Sequence, residues 1–407
     1  MQQPLLSFAA LGVPASLTAT LSANGLTTPF PIQSATLPDS LAGRDVLGRG
    51  RTGSGKTLAF SLPMVARLMA SSTTRRPGRP RALVLVPTRE LANQVSSIVT
   101  MLGTPVGLRT MTVFGGVSQG PQVTALRRGV DVVVATPGRL EDLMAQRHVN
   151  LDAVEVTVID EADHMADLGF LPAVRRILDR TPAGTQRLLF SATLDGDVNV
   201  LVRRYLTSPV THSVDSAESE VPAMTHHVLT VDATQKAAVV RELLSGQGRI
   251  LAFTRTKHAA KKLAGRMSAA GVPSADLHGN LSQNARERNL AAFHAGDVRV
   301  LVATDIAARG IHVDDVTLVV HVDPPAEHKA YLHRSGRTAR AGAEGVVVTV
   351  ATNEQRGDIR GLMRKAKIAP TERPVRPGHP ALAELSGSSL RSSGSVLREG
   401  RKPRLSR

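Results

Sequence analysis

The stretch VTVIDEADHMADLGF, Val156 to Phe170, begins as an apolar run and then turns abruptly onto a cluster of carboxylates, Asp160, Glu161 and Asp163. A run without polar alternation reads as a strand buried on both faces, as in a parallel sheet covered by helices. Runs of the same kind stand on either side of it: DVLGRG, ALVLVPT, TMTVFGG, DVVVATPG and QRLLFSAT. Each is closed by Gly, Pro, Ser or Thr before a helical pattern begins. A second series follows, HHVLTV, RILAFTRT, SADLHG, VRVLVATD, VTLVVHVD and GVVVTVAT. Two successive α/β parallel-sheet domains are expected, with their sites in the loops at the carboxyl ends of the strands.

The domain boundaries follow from changes in texture. Residues 1–35 form a leading segment, 36–208 the first domain and 227–370 the second, and the polar passage 209–226 reads as a linker. Residues 371–407 lack a sustained apolar period, are rich in Ser, Gly, Pro and Arg, and are expected to be a disordered basic tail. The tail holds eight Lys/Arg against three Glu, 8 − 3 = +5.

The whole chain carries 50 Lys+Arg against 34 Asp+Glu, a net charge of +16. That excess points to a polyanionic partner, nucleic acid before membrane, because no amphipathic basic helix stands out. With no cysteine, disulfides and thiolate metal sites are excluded, and a reducing intracellular setting is expected. The sequence shows neither a basic n-region at its start nor a membrane-length apolar run, so a cytoplasmic protein without a membrane span is expected.

Between the strand DVLG and the helical LAFSLPMVARLM lies Gly50-Arg51-Thr52-Gly53-Ser54-Gly55-Lys56-Thr57, the pattern and context of a phosphate-binding loop. Its glycines let backbone N–H groups turn inward around phosphate oxygens. Lys56 is expected to reach the β/γ-phosphates, and the Thr57 hydroxyl to ligate Mg²⁺ at the positive end of the helix. The acidic cluster complements that loop. Asp160 is expected to hold the metal, which takes oxygen ligands and keeps several waters, and Glu161 to orient and deprotonate the attacking water.

Asp160-Glu161-Ala162-Asp163 spells D-E-A-D, and from about Phe8 to about residue 365 the chain resembles the DEAD-box family of ATP-dependent RNA helicases, motif after motif in that family's order. The resemblance implies two tandem RecA-like domains, with ATP and Mg²⁺ as cofactors. Phe8 and the run Gly25 to Gln33 resemble the adenine-reading Q motif. By that resemblance Gln33 hydrogen-bonds the adenine edge through both amide groups, as a donor and acceptor side by side suit adenine. Leu26 stands where an aromatic is common and Phe30 where Thr is common, so base stacking is expected to differ. Pro87, Thr88 and Arg89 resemble motif Ia, Gly115 and Gly116 the GG motif, and Thr136, Pro137, Gly138 and Arg139 motif Ib. These loops imply contacts with the RNA backbone, which carry no sequence information. Ser191 and Thr193 resemble motif III, which links Asp163 to RNA-coupled closure.

In the second domain Arg255 belongs to a motif IV-like run, and Gly279, Gln283 and Arg286 to the RNA-contact motif after it. Thr304 and Asp305 resemble motif V, with Thr304 implied at RNA and Asp305 at the nucleotide. His333 to Arg340 resembles motif VI, with Ala339 in place of the usual glycine. Arg337 and Arg340 are implied to be arginine fingers for the γ-phosphate, a contribution worth about 10³–10⁵ in rate. His312 stands where the family has an acidic residue on the ribose, so a weaker ribose contact is expected, with Asp314 and Asp315 nearby.

The expected activity is RNA-stimulated ATP hydrolysis that locally unwinds short duplexes or remodels RNA–protein particles, by a monomer with little sequence preference. With 2% aromatics and no Trp, base-stacking platforms are scarce, which leaves backbone and 2′-OH contacts. Ribosome-assembly or RNA-decay proteins are the partners such an activity would meet. An ATP-gated RNA clamp or annealing chaperone is the alternative reading, and a DNA translocase a third, against which the Q-like run and the D-E-A-D tetrad weigh.

Overall fold

The computed structural model describes residues 7–50, 53–194, 196–214, 224–308, 313, 316–339 and 344–387. The chain divides into two compact units with the boundary between Val221 and Pro222.

Unit one holds seven parallel strands: β1 Val46–Arg49, β2 Ala82–Leu85, β3 Thr110–Val113, β4 Val132–Ala135, β5 Val156–Asp160, β6 Gln186–Ser191 and β7 Val210–Ser213, in the order β3-β4-β2-β5-β6-β1-β7. Every residue of β2, β4, β5 and β6 is buried, the polar ends of β5 and β6 (Asp160, Gln186, Arg187, Ser191) included, as in a parallel sheet covered on both faces. Alternate residues feed opposite faces: Leu83, Val133, Ile159 and Leu189 join one core, and Val84, Val132, Val158 and Leu188 the other. Gly48 has no room for a side chain, because the ring of Phe190 from β6 lies across it. The leading segment is part of this unit. Phe8, Leu11, Val13, Leu17 and Leu21 pack with Leu58, Leu62 and Val65 of the helix Lys56–Ala70.

Unit two repeats the plan. Strands β8 Met224–Val231, β9 Arg249–Phe253, β10 Ser274–Leu277, β11 Val300–Ala303, β12 Val316–His321, β13 Gly345–Thr352 and β14 Thr371–Pro374 run parallel in the order β10-β11-β9-β12-β13-β8-β14. That order is the same as in unit one, strand for strand.

Two expectations need correction, and for one reason. The passage 209–226 is not all linker: Val210–Ser213 forms β7 beside β1, and Met224 already belongs to β8. Likewise the segment 371–407 is not disordered from its start, since Thr371–Pro374 forms β14 beside β8 and Pro380–Leu385 is helical. Both missed strands lie at sheet edges, where VTHS and TERP need no apolar face and where proline is tolerated. The segment is fastened by Val375, Leu382 and Leu385 in the core, by Arg360 on Glu372 at 3.0 Å, and by Gly378 N–H donating to the Glu242 carboxylate at 2.9 Å. Among the described residues no helix is long and apolar enough to cross a membrane.

Candidate functional site

In unit one the loops singled out in the sequence all leave the carboxyl ends of parallel strands. The order β5-β6-β1 puts the acidic cluster one strand away from the glycine-rich loop, with Asp160 paired in register to Phe190, and Ser191 to Arg49. Gly53 and Gly55 take left-handed φ values of 87° and 89°, which glycine adopts without strain. At Gly50 a Cβ would lie 2.8 Å from Ser54 Oγ, so the loop is closed tightly on itself. Arg51 and Thr52 lie outside the described residues.

Lys56 starts the helix, is buried, and donates from Nζ to Gly50 O at 2.9 Å and to Glu161 Oε1 at 3.0 Å. Burial opposes its charge, but Glu161 and Asp160 outweigh burial and raise its pKa above 10.5. Asp160 closes β5 and accepts from Glu161 N–H at 3.0 Å. Burial pushes its carboxyl up to about 7, against the pull of Lys56 and with the push of Glu161. Glu161 itself has φ 54° and ψ 50°, a left-handed conformation that a non-glycine residue holds only at a cost of about 1–2 kcal/mol.

Asp163, two residues on, is held from β6 and the loop after it. Its N–H donates to Ser191 Oγ at 3.2 Å, and Oδ2 accepts from both the N–H and the hydroxyl of Thr193, each at 3.0 Å. The link between the acidic cluster and Ser191/Thr193 is thus a set of direct hydrogen bonds.

The donor set suits a hard divalent cation. Thr57 and Asp160 offer only oxygen, and the buried Asp160 carboxyl gains most from a positive neighbour. Ser54 Oγ, in the same loop, is buried with no hydrogen-bond partner among the described residues. No group of three or more His, Asp or Glu stands ready for a metal among the described residues. A cation here would take its other ligands from phosphate and water, as Mg²⁺ does.

The adenine-side residues sit differently from expectation. Gln33 is fully buried, its Oε1 accepting from Phe30 N–H at 2.8 Å and its Nε2 donating to Gly55 O at 2.9 Å. It therefore ties the helix Pro31–Leu41 to the phosphate loop, and neither end of the amide is idle. Phe8 lies in the apolar cluster, 4% exposed, and presents no face to a base. Phe30, by contrast, is 47% exposed and packs over Gly55. Phe30 is a residue that departs from the motif in the sequence, an aromatic where Thr is common.

The loops after β2, β3 and β4 meet at one edge. Pro87 leads to Thr88, which caps the helix Arg89–Gly103 by accepting from Leu91 N–H at 3.3 Å. The guanidinium of Arg89 fills the space a side chain at Gly116 would need, which explains the glycine there, next to Gly115. Arg139, in the helix Pro137–Ala145 that follows Thr136 and includes Gly138, donates through both Nη atoms to Val117 O at 3.3 Å.

In unit two Arg255, Gly279 and Thr304 follow the adjacent strands β9, β10 and β11. Arg255 is exposed, with its N–H on Asp323 Oδ2 at 2.8 Å. Gln283 is buried and donates to Glu287 at 2.9 Å, and Arg286 donates to Ala307 O at 3.3 Å. Asp305 forms a two-pronged pair with Arg334, Nη2 to Oδ2 at 2.7 Å. Arg334 is 3% exposed, reaches Asp323 O at 2.7 Å and stacks over Phe253 at 5.0 Å. Sequence reasoning assigned Arg334 no role of its own, since a partner 29 residues away leaves no local signal. Arg337 is buried, 6% exposed. Ala339 has φ 55°, the left-handed region where a glycine would be unstrained. His312 and Arg340 lie outside the described residues, as do Asp314 and Asp315.

Residues 30–201 match the DEAD/DEAH box helicase family and residues 235–342 the helicase conserved C-terminal domain. The chain is 42% identical over 367 residues to the chloroplastic DEAD-box ATP-dependent RNA helicase 3A of Zea mays, a match that spans 88% of this chain and 49% of that protein. It is 36% identical over 407 residues to the ATP-dependent RNA helicase DBP2 of Lodderomyces elongisporus, spanning 98% of this chain and 72% of that protein. Among solved structures, S. cerevisiae Dbp5 bound to RNA and ADP BeF3 superposes with a TM-score of 0.79 at 29% identity, covering 90% of this chain and 95% of that one. The chain spans about half the length of the maize relative.

Proposed function

This chain belongs to the DEAD-box helicase family, and from that membership we propose that it is an ATP-dependent RNA helicase that opens short duplexes locally or remodels RNA–protein particles. The observation that carries the proposal is that the tetrad Asp160–Asp163 is hydrogen-bonded at one end to Lys56, through Glu161, and at the other to Ser191 and Thr193, through Asp163. It joins a phosphate-binding cation, a metal-binding carboxylate and a base to a loop able to report on them.

In this reading the loop Gly50–Thr57 wraps the phosphates of ATP and Lys56 turns from Glu161 toward the β/γ-phosphates, leaving the Glu161 carboxylate to take the proton of the attacking water. Mg²⁺, held by Thr57 and Asp160, would neutralise charge on the β- and γ-phosphate oxygens. Exposed Phe30 offers the base an apolar neighbour, and Gln33 its remaining lone pair and N–H. Thr88, Arg89, Gly115, Gly116, Thr136 and Arg139 hold the RNA backbone, with Arg255, Gly279, Gln283, Arg286 and Thr304 of unit two. Arg337 and Arg340 act on the γ-phosphate in the working cycle, which makes hydrolysis depend on both units.

Glu161→Gln tests the reading. Turnover is expected to fall by about 10²–10⁴, while ATP-dependent RNA binding persists, so that the enzyme stalls on RNA. Repeated strand separation by this variant at the parent rate would overturn the assignment of Glu161, and a variant that keeps its full action on RNA without turnover would favour an ATP-gated clamp.

A further inference from the structure

The helix Lys257–Ala269, KHAAKKLAGRMSA, buries Ala260, Ala264 and Met267 against the sheet of unit two. Its outer face exposes Lys257, His258, Lys261, Lys262 and Arg266. The helix contains no acidic residue, and none of these five side chains has an ion-pair partner among the described residues.

This arrangement works against the helix itself. Lys257 and His258 lie in the first turn, where the helix dipole favours acids. Lys257 with Lys261, and Lys262 with Arg266, are like charges four residues apart, each pair destabilising by about 0.2–0.5 kcal/mol. Gly265 sits in the middle of the same face with open space around it, although alanine there would favour the helix by about 1 kcal/mol. A merely solvated face would alternate its charges. Local rules broken together on one face, with nothing inside the unit compensating, point to an external polyanion.

The position identifies which one. The helix is capped by Thr256, which accepts from Ala259 N–H at 3.2 Å, and it begins directly after exposed Arg255. From Lys257 to Arg266 the face extends about 14 Å, enough to meet several consecutive phosphates. Resting on the reading of Arg255 as an RNA contact, we propose that this helix face is a second phosphate track, engaging RNA that runs on beyond the strand held by the motif loops. The bare backbone at Gly265 lets the strand lie close.

The test compares the full chain with the variant Lys261→Gln/Lys262→Gln/Arg266→Gln, whose substitutions keep helix-forming side chains. Its probes are a short oligouridylate that fills only the motif loops and a long one that overhangs them. For the long oligomer the variant is expected to lose roughly tenfold in affinity at low salt, with the slope of log K against log salt flatter by about 2, since each phosphate contact on single strands contributes about 0.7. Binding of the short oligomer and the ATPase it stimulates stay unchanged, and Lys261→Arg/Lys262→Arg/Arg266→Lys keeps the parent behaviour. Equal losses on both oligomers, or no loss on the long one, overturn the proposal. So do phosphatidylserine vesicles that bind the parent and not the variant while long-RNA affinity is untouched. A parent protein that binds neither oligomer would instead sink the helicase reading.

Discussion

The two units share one strand order and differ in what they put at the carboxyl ends of the strands. Unit one gathers unbalanced charge there: Lys56 is shared between Gly50 O and Glu161, and the Asp160 carboxyl is pushed up to about 7 by its burial. Unit two pairs its charges off, Arg334 with Asp305, over a buried layer of Phe253, His321 and Tyr331. A common fold thus carries one end built to receive a charged ligand and one built to hold a loop in place. The difference lies in side chains, since the strand orders agree.

Four measurements break or sharpen that contrast. The largest effect is expected from Arg337→Ala, which should reduce RNA-stimulated ATP hydrolysis by about 10³–10⁵ while nucleotide binding to unit one persists in an equilibrium titration. Full activity in that variant would make unit one self-sufficient. Next comes Thr193→Val, which removes the hydroxyl from Asp163. A hydrogen bond to a charged group is worth about 1.5–3 kcal/mol, so duplex unwinding is expected to fall by roughly tenfold or more, with ATPase less affected.

The third concerns the buried layer of unit two. His321 is fully buried, 3.1 Å from Thr349 Oγ1, and burial, then Arg334 and His226, hold its pKa well below 6.5. Below pH 6.5 the unfolded chain takes up a proton at this residue that the folded unit does not. Stability is therefore complete above 6.5 and lost as the pH falls, by up to about 1.4 kcal/mol per pH unit. Denaturant titrations across that range should show this slope, and His321→Gln should flatten it by about one proton. The smallest effect belongs to Ala339→Gly, which relieves a left-handed alanine and should stabilise unit two by about 1 kcal/mol. No gain would mean that the greater freedom of glycine in the unfolded chain offsets the relief.

The sequence was most legible where chemistry and spacing are local. A glycine-rich loop between a strand and a helix, and carboxylates at a strand end, identify Lys56, Asp160 and Glu161 from residue order alone. It was least legible at sheet edges, because Val210–Ser213 and Thr371–Pro374 obtain their structure from a neighbouring strand and carry no apolar signal of their own. Long-range commitments were hidden too. That Gln33 is bonded to Gly55, or Arg334 to Asp305, depends on chain segments 22 and 29 residues apart meeting in space. Phe8, read as a neighbour of the base, is apolar enough to be a core residue, and the core takes it.

The pairing of β8 also bears on how the protein is made. This strand is the first of unit two to be synthesised, yet its neighbours β13 and β14 come much later in the chain. With β14 roughly 150 residues behind, and translation at about 5–20 residues per second, the β14 edge of β8 waits about 7–30 seconds for its partner. During that interval a row of free amides is open to any other nascent chain, and β1 waits as long for β6 and β7, so the first strand of each unit is the part of the molecule most in need of protection at birth.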